Sequence, residues 1–350
     1  MEIGRNLHSK TICLWDKSRS CLVKLTRSEC LVSMDQKPLE PHFGGSWKLS
    51  GDFIKGLPDD LTKRQIQALT YTHDTAKADS VKKRGELRKK INSLCPKLKI
   101  DDKKLDLMVD YVKNIACLNI NVNLSKVPKS DGKKILDLFT EDKEGHYRNL
   151  FEVLHGGGCT SLAPRASWED RMYNKAYGDF RKNPPGERPK YGNLNIFERS
   201  VGHASCAGYG KSYFVLKDQM RCRTTLTPAD SSGTSNVGML DNCNHILLDA
   251  LGRAGSAKTF CEVWAEAAMA SHSKKDHKIS DISSAYYCYI ELQFHGNVSF
   301  DKDIESLIIH PDESLSDKQI DKFIKRFPTI KVVRLTHADL KAGGKAFISQ

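Results

Sequence analysis

The segment Tyr289-Ile-Glu-Leu-Gln-Phe-His-Gly296 carries a carboxylate, a carboxamide and an imidazole at every second position: Glu291, Gln293 and His295. Ile290, Leu292 and Phe294 fill the positions between them, which is the period of a half-buried β-strand with one apolar and one polar face. A carboxylate held on a rigid strand among hydrogen-bonding neighbours can position a proton or stabilise developing positive charge. An ordinary solvated strand face has the same pattern, so the surrounding chain must decide.

Three other segments combine arginine with aromatic, glycine and hydroxyl residues. They are Tyr147-Arg-Asn-Leu-Phe-Glu-Val-Leu-His-Gly-Gly-Gly158, Arg188-Pro-Lys-Tyr-Gly-Asn-Leu-Asn195 and Arg221-Cys-Arg-Thr-Thr-Leu-Thr-Pro-Ala-Asp-Ser-Ser232. Singly, each reads equally well as a cap, a turn or a strand. Together with Glu291 they supply the parts for a negatively charged, ribose-containing ligand. Guanidinium grips phosphate in a two-pronged fork, hydroxyls bond sugar, and an aromatic ring stacks on a flat base.

Other chemistries find less support. Gly208-Tyr-Gly-Lys-Ser212 ends like a phosphate-binding loop but has Ser205 in place of the first glycine and leads into a strand-like run. Gly252-Arg-Ala-Gly-Ser-Ala-Lys-Thr259 is closer, and makes a nucleotide hydrolase using Lys258 and Thr259 the main alternative; its departure is Ala257 where glycine lets backbone amides wrap phosphate. No GxSxG or HExxH is present. Cys243-x-His245 and His272-x4-His277 are too sparse for four zinc ligands, so no metal site is expected. Gly156-Gly-Gly158 reads as a turn.

The elements that must position these groups divide the chain into four parts. Residues 1–58 are mixed, with strand-like Thr11–Trp15 and Cys21–Leu25 and a break at Gly44-Gly45. Residues 59–144 form a lysine-rich helical module: a helix from Leu61 to Leu94 stopped by Pro96, another over 102–118 from apolar spacing at Leu105, Met108, Val109, Val112 and Ile115, and a third over 131–140. Residues 145–312 read as antiparallel α+β, with strands at 212–216, 223–227 and 286–295 and helices at 240–251 and 258–270. The tail, 313–350, holds a helix capped by Ser316 and a strand over 330–335.

With 39% hydrophobic and 28% charged residues and no long apolar run, the chain reads as a soluble protein without a membrane span. The start, Met1-Glu-Ile-Gly-Arg-Asn6, lacks a signal-peptide core. Eleven scattered cysteines, odd in number and without a CxxC, fit reduced thiols in a cytoplasm. The net charge of +12 invites a non-enzymatic basic binding protein as a second alternative. Between residues 55 and 145, however, the aromatics are only Tyr71, Tyr111 and Phe139, a poor stacking platform that argues against a nucleic-acid partner on composition.

Five blocks resemble, in order, a bacterial family catalogued as a domain of unknown function: Tyr147-Arg-Asn-x-Phe-Glu152, Arg188–Asn195, Tyr209-Gly-Lys-Ser-Tyr-Phe-Val-Leu216, Arg223-Thr-Thr-x-Thr-x-x-Asp-Ser231 and Tyr289–Gly296. That likeness spans about residues 145–312. More remotely, the order of arginine, hydroxyl-bearing strand and glutamate resembles arginine–serine–glutamate mono-ADP-ribosyltransferases. The resemblance implies an ADP-ribosyltransferase-like domain that cleaves NAD, its co-substrate, and modifies a protein target. It implies that Arg148 or Arg188 grips the phosphates, Thr225 or Thr227 replaces the serine-motif hydroxyls, and Tyr191 or Tyr213 flanks the nicotinamide. Glu291, with Gln293 beside it, would act at the ribose. Tyr289 stands where arginine-directed members carry glutamate. A bacterial effector delivered into a host cell would fit such a protein.

Overall fold

A computed structural model describes residues 12–16, 21–25, 53–128, 132–153, 162–196, 202, 206–253, 257–273 and 289–341. The readings at Gly44-Gly45, Gly156–Gly158, Ser205, His277 and 286–288 lie outside these residues. The principal helices are α1 (Lys63–Leu94), α2 (Asp102–Asn114), α3 (Ile135–Glu141), α4 (Leu162–Met172), α5 (Asn244–Arg253), α6 (Ala257–Ser273) and α7 (Asp317–Arg326). Local chemistry sets their ends. The Thr62 side chain accepts from the Gln65 amide while the Gln65 side chain accepts from the Thr62 amide, a reciprocal cap at the start of α1. Ser316 and Gln319 repeat that device on α7, and Asp101 caps α2. Helix α1 ends at Leu94, just before Pro96.

The strands are β1 (Ile12–Asp16), β2 (Cys21–Leu25), β3 (Cys117–Val122), β4 (His146–Tyr147), β5 (Lys190–Asn195), β6 (Ser212–Leu216), β7 (Thr224–Thr227), β8 (Gly238–Met239), β9 (Glu291–Phe294), β10 (Val298–Ser299), β11 (Ile304–Ile309) and β12 (Lys331–Arg334). Eight of them form one sheet in the order β12-β11-β6-β3-β5-β9-β7-β8, antiparallel except for the β11–β12 pair. Strands β1 and β2 form a separate hairpin, and β4 pairs with β10. The fold is α+β.

The helix expected over 102–118 is shorter than its apolar spacing implies: it ends at Asn114, and Cys117 opens β3. Leu118, Ile120 and Val122 alternate with Asn119 and Asn121, so a period of two takes over where the helical spacing stops. That strand lies between β5 and β6. Thus residues of the 59–144 segment, of 145–312 and of the tail all contribute to the same sheet.

Because paired residues share a face, the register sorts the sheet into two chemistries. Leu118, Ile120, Leu194, Phe214, Leu226, Leu292, Phe294 and Leu307 face a large core completed by helices α1, α2, α5 and α6. Trp264 of α6 is fully buried there, and its indole N–H donates to the Met108 carbonyl at 2.8 Å. The opposite face carries Thr225, Thr227, Glu291, Gln293, Tyr191, Asn193, Asn119 and Asn121. Two glycines permit this arrangement. A Cβ on Gly192 would sit 2.1 Å from the Asn119 carbonyl oxygen on the neighbouring strand, and Gly296 takes φ +83° just after β9.

Candidate functional site

Strand β9 lies between β5 and β7, with Glu291 opposite Thr227 on one side and Asn193 on the other. Gln293 lies opposite Thr225 and Tyr191. The polar face expected to be half-buried is covered: Glu291 is 5% exposed, and Gln293 and His295 are fully buried. Burial is tolerated because the groups satisfy one another and because Tyr173 and Tyr177, which follow α4, bring hydroxyls over them.

The donors run in one direction. The Glu291 carboxyl can only be served by the nitrogen of Gln293, so Nε2 donates to Glu291 Oε1 at 3.0 Å. Gln293 Oε1 then accepts from the Thr225 hydroxyl at 3.1 Å. With its one hydrogen used, Thr225 accepts from Tyr173 at 2.9 Å and from His295 Nε2 at 3.1 Å. That leaves His295 Nδ1 to accept from the Tyr177 hydroxyl. The chain requires a neutral imidazole, and burial, reinforced by Arg223 and Lys190, pushes His295 down to about 3.

Glu291 also accepts from the Ser231 amide at 3.3 Å. Among the described residues its Oε2 receives only a 3.4 Å contact from the Tyr289 hydroxyl, which leaves acceptor capacity for a ligand hydroxyl. Burial, aided by the charge of Asp230, pushes the carboxyl up to about 7, against the pull of Ser231, Gln293 and Arg165. Glu291 is therefore poised between its two protonation states near neutral pH. Tyr209, exposed on the 206–210 turn, is close enough to feel both Asp230 and Glu291.

The arginines separate clearly. Arg148 follows β4 on the surface and pairs with Asp142 at 3.0 Å and Glu144 at 3.2 Å. Arg188 is buried against Glu169, and its Nη2 donates to the Gly178 carbonyl at 2.7 Å. Tyr191 donates to the other Glu169 oxygen at 2.9 Å, and burial pushes Glu169 upward despite Arg188. A third arginine, absent from the expectations drawn on sequence, lies nearer to Glu291. Arg165 of α4 stacks 4.4 Å from the centre of the Tyr191 ring. Among the described residues it makes no ion pair within 4 Å and its Nε has no hydrogen-bond partner, while Glu169 and Glu291 both act on its charge. Helical spacing is its one signal in the sequence: Arg165, Trp168 and Glu169 fall on one face of α4.

The structure thus brings together Glu291, Gln293, Thr225, Thr227 and Tyr191, with Arg188 one contact further away through Glu169. Tyr213 stands apart. It pairs with Asn121 on β3, three strands from Gln293, or about 14 Å at the usual strand spacing, and packs with Ile308 and Leu335. Lys258 is exposed on the first turn of α6, 4.0 Å from Glu262, and the helix preceding its loop is α5, whereas a phosphate-binding loop follows a strand. Among the described residues no group of three or more His, Cys, Asp or Glu could hold a metal, and no helix is long and apolar enough to cross a membrane. Cys95, Cys117, Cys206, Cys222, Cys243 and Cys261 are free thiols.

The model of a family described as a protein of unknown function, DUF3626, matches residues 127–337. The chain belongs to the DUF3626 family. The DUF3626 span extends beyond 145–312 at both ends and contains Arg165, Thr225, Glu291 and every other residue of the site. It leaves out α1, α2 and β3, so the DUF3626 sheet is completed here by a strand from outside the span. No curated protein matches the chain.

Proposed function

We propose that this protein cleaves NAD at the nicotinamide–ribose bond and transfers the ADP-ribose to a protein. The observation that carries the reading is the placement of Glu291 directly opposite Thr227 and hydrogen-bonded to Gln293, with its carboxyl poised near neutrality. In this reading the Glu291 carboxylate accepts a ribose hydroxyl through Oε2 and offsets the positive charge that grows on the sugar as the C–N bond breaks. The electron pair of that bond leaves with nicotinamide, which departs neutral, and the acceptor nucleophile bonds to the anomeric carbon and loses its proton. Gln293 and Thr227 hold the carboxylate in place. Arg165, stacked on Tyr191 and free of any carboxylate ion pair among the described residues, supplies charge for the phosphates.

The test is incubation with labelled NAD and host-cell extract. The reading expects protein bands that acquire the ADP-ribose label with wild type and not with Glu291→Gln. Equal labelling by the two proteins, with both folded, would sink it.

A further inference from the structure

Away from Glu291, a cleft of about 390 Å³ is lined by Asp79, Lys83, Asn236, His245, Leu248 and Asp249. It forms where α1 packs on α5, an approach fixed by Ser80, whose hydroxyl and carbonyl accept from the Asn244 amide and side chain at 3.2 Å each. Several of its charges are already matched. Lys83 is held by both oxygens of Glu86 at 2.8 and 2.9 Å. Asp249 accepts from Arg253 at 3.1 Å and from Asn236 Nδ2 at 3.3 Å.

Three acceptors stay unclaimed among the described residues. Asp79 is an exposed carboxylate with no hydrogen bond or ion pair. Asn236 has used its nitrogen on Asp249, so its oxygen remains. His245 is the decisive group, because it is only 6% exposed and its Nδ1 is buried without a partner. Its Nε2 lies 3.3 Å from the Val237 carbonyl, which can only accept. Nε2 therefore carries the hydrogen and Nδ1 presents a lone pair. Buried acceptors without a donor are rare in folded proteins, and His245 is one of the residues that line the cleft, so a donor entering there would complete it.

We propose that this cleft binds a primary alkylammonium group, the end of a lysine side chain on a partner protein. An ammonium carries three donors and one positive charge, and the residues lining the cleft hold three acceptors without a donor, one of them the carboxylate of Asp79. Leu248 provides an apolar wall for the methylene stem. The proposal is independent of NAD chemistry.

The experiment is an NMR titration of the full chain with Nα-acetyl-lysine methylamide, followed through the imidazole nitrogens of His245. A saturable shift at Nδ1 is expected, absent with the Nε-acetylated ligand and with Nα-acetyl-norleucine methylamide. Asp79→Asn should weaken binding at least tenfold while the thermal unfolding curve stays in place, since Asp79 is exposed. No saturable shift, or equal binding by Asp79→Asn, would overturn the site. Tighter binding of Nα-acetyl-arginine methylamide would overturn the ammonium assignment, and tighter binding of spermidine would overturn the protein origin of the ligand.

Discussion

Replacing Glu291 by glutamine should make the protein more stable at alkaline pH. The carboxyl is raised from 4.5 to about 7 in the folded chain, chiefly by burial. Between these values the folded state holds a proton that the unfolded chain has released, so stability falls as pH rises through this window. A tenfold difference in proton affinity between folded and unfolded chain corresponds to about 1.4 kcal/mol, which makes the full penalty about 3 kcal/mol well above pH 7 and only about 1 kcal/mol near pH 5. Glutamine has the same shape and no charge. Its oxygen can still accept from Ser231 and Gln293, and its nitrogen can donate to Tyr289 once that hydroxyl turns. Other titrating groups, Glu169 included, are common to both proteins and cancel in the comparison. The assay is urea unfolding of wild type and Glu291→Gln at pH 5 and pH 8. The gap between them should widen by about 2 to 3 kcal/mol in favour of glutamine at the higher pH. A gap that does not change with pH would show that Glu291 is not strained by burial, and the reasoning about its poise would fail.

Other perturbations separate roles that the sequence leaves together. If the ionised carboxylate is the working form, kcat/KM for NAD should rise with pH and level off just above the folded value of about 7; a flat profile from pH 5 to 9 would contradict that. Arg148→Ala, which removes a surface pair, should change stability by about 1 kcal/mol or less, whereas Arg188→Ala strands Glu169 in the interior and should cost about 3 to 5 kcal/mol; urea unfolding of the two variants checks both. Arg165→Ala should leave stability nearly unchanged and raise the KM for NAD about tenfold, as loss of a charged phosphate contact does; an unaltered KM would remove it from the site. A fragment starting at residue 127 lacks β3, so β5 and β6 lose their shared partner. It should show no cooperative unfolding by near-UV circular dichroism, and a sharp transition would contradict the sheet order.

Elements with strong local signals were legible in the sequence. Ser316 announces α7, Pro96 ends α1, and the apolar run at Ser212–Leu216 and the alternation at Glu291–Phe294 mark two strands of the sheet. The register that sets Thr227 opposite Glu291 and Thr225 opposite Gln293 was not legible, because no local pattern tells which strands will be neighbours. Strand β3 was hidden because apolar residues at helical spacing run almost up to Cys117. Arg165 was hidden for a different reason. Its importance comes from lying over Tyr191 and lacking a carboxylate partner among the described residues, properties of tertiary packing that spacing along α4 cannot report.

The most direct measurement is nicotinamide release from NAD by the purified protein, wild type beside Glu291→Gln, with folding of both checked by thermal unfolding. Release by wild type that falls about a hundredfold or more in the variant is the predicted result, the scale expected when a group that stabilises transition-state charge is removed. Release at the same rate from both, or none from wild type together with no NAD binding, would contradict the proposed role of Glu291.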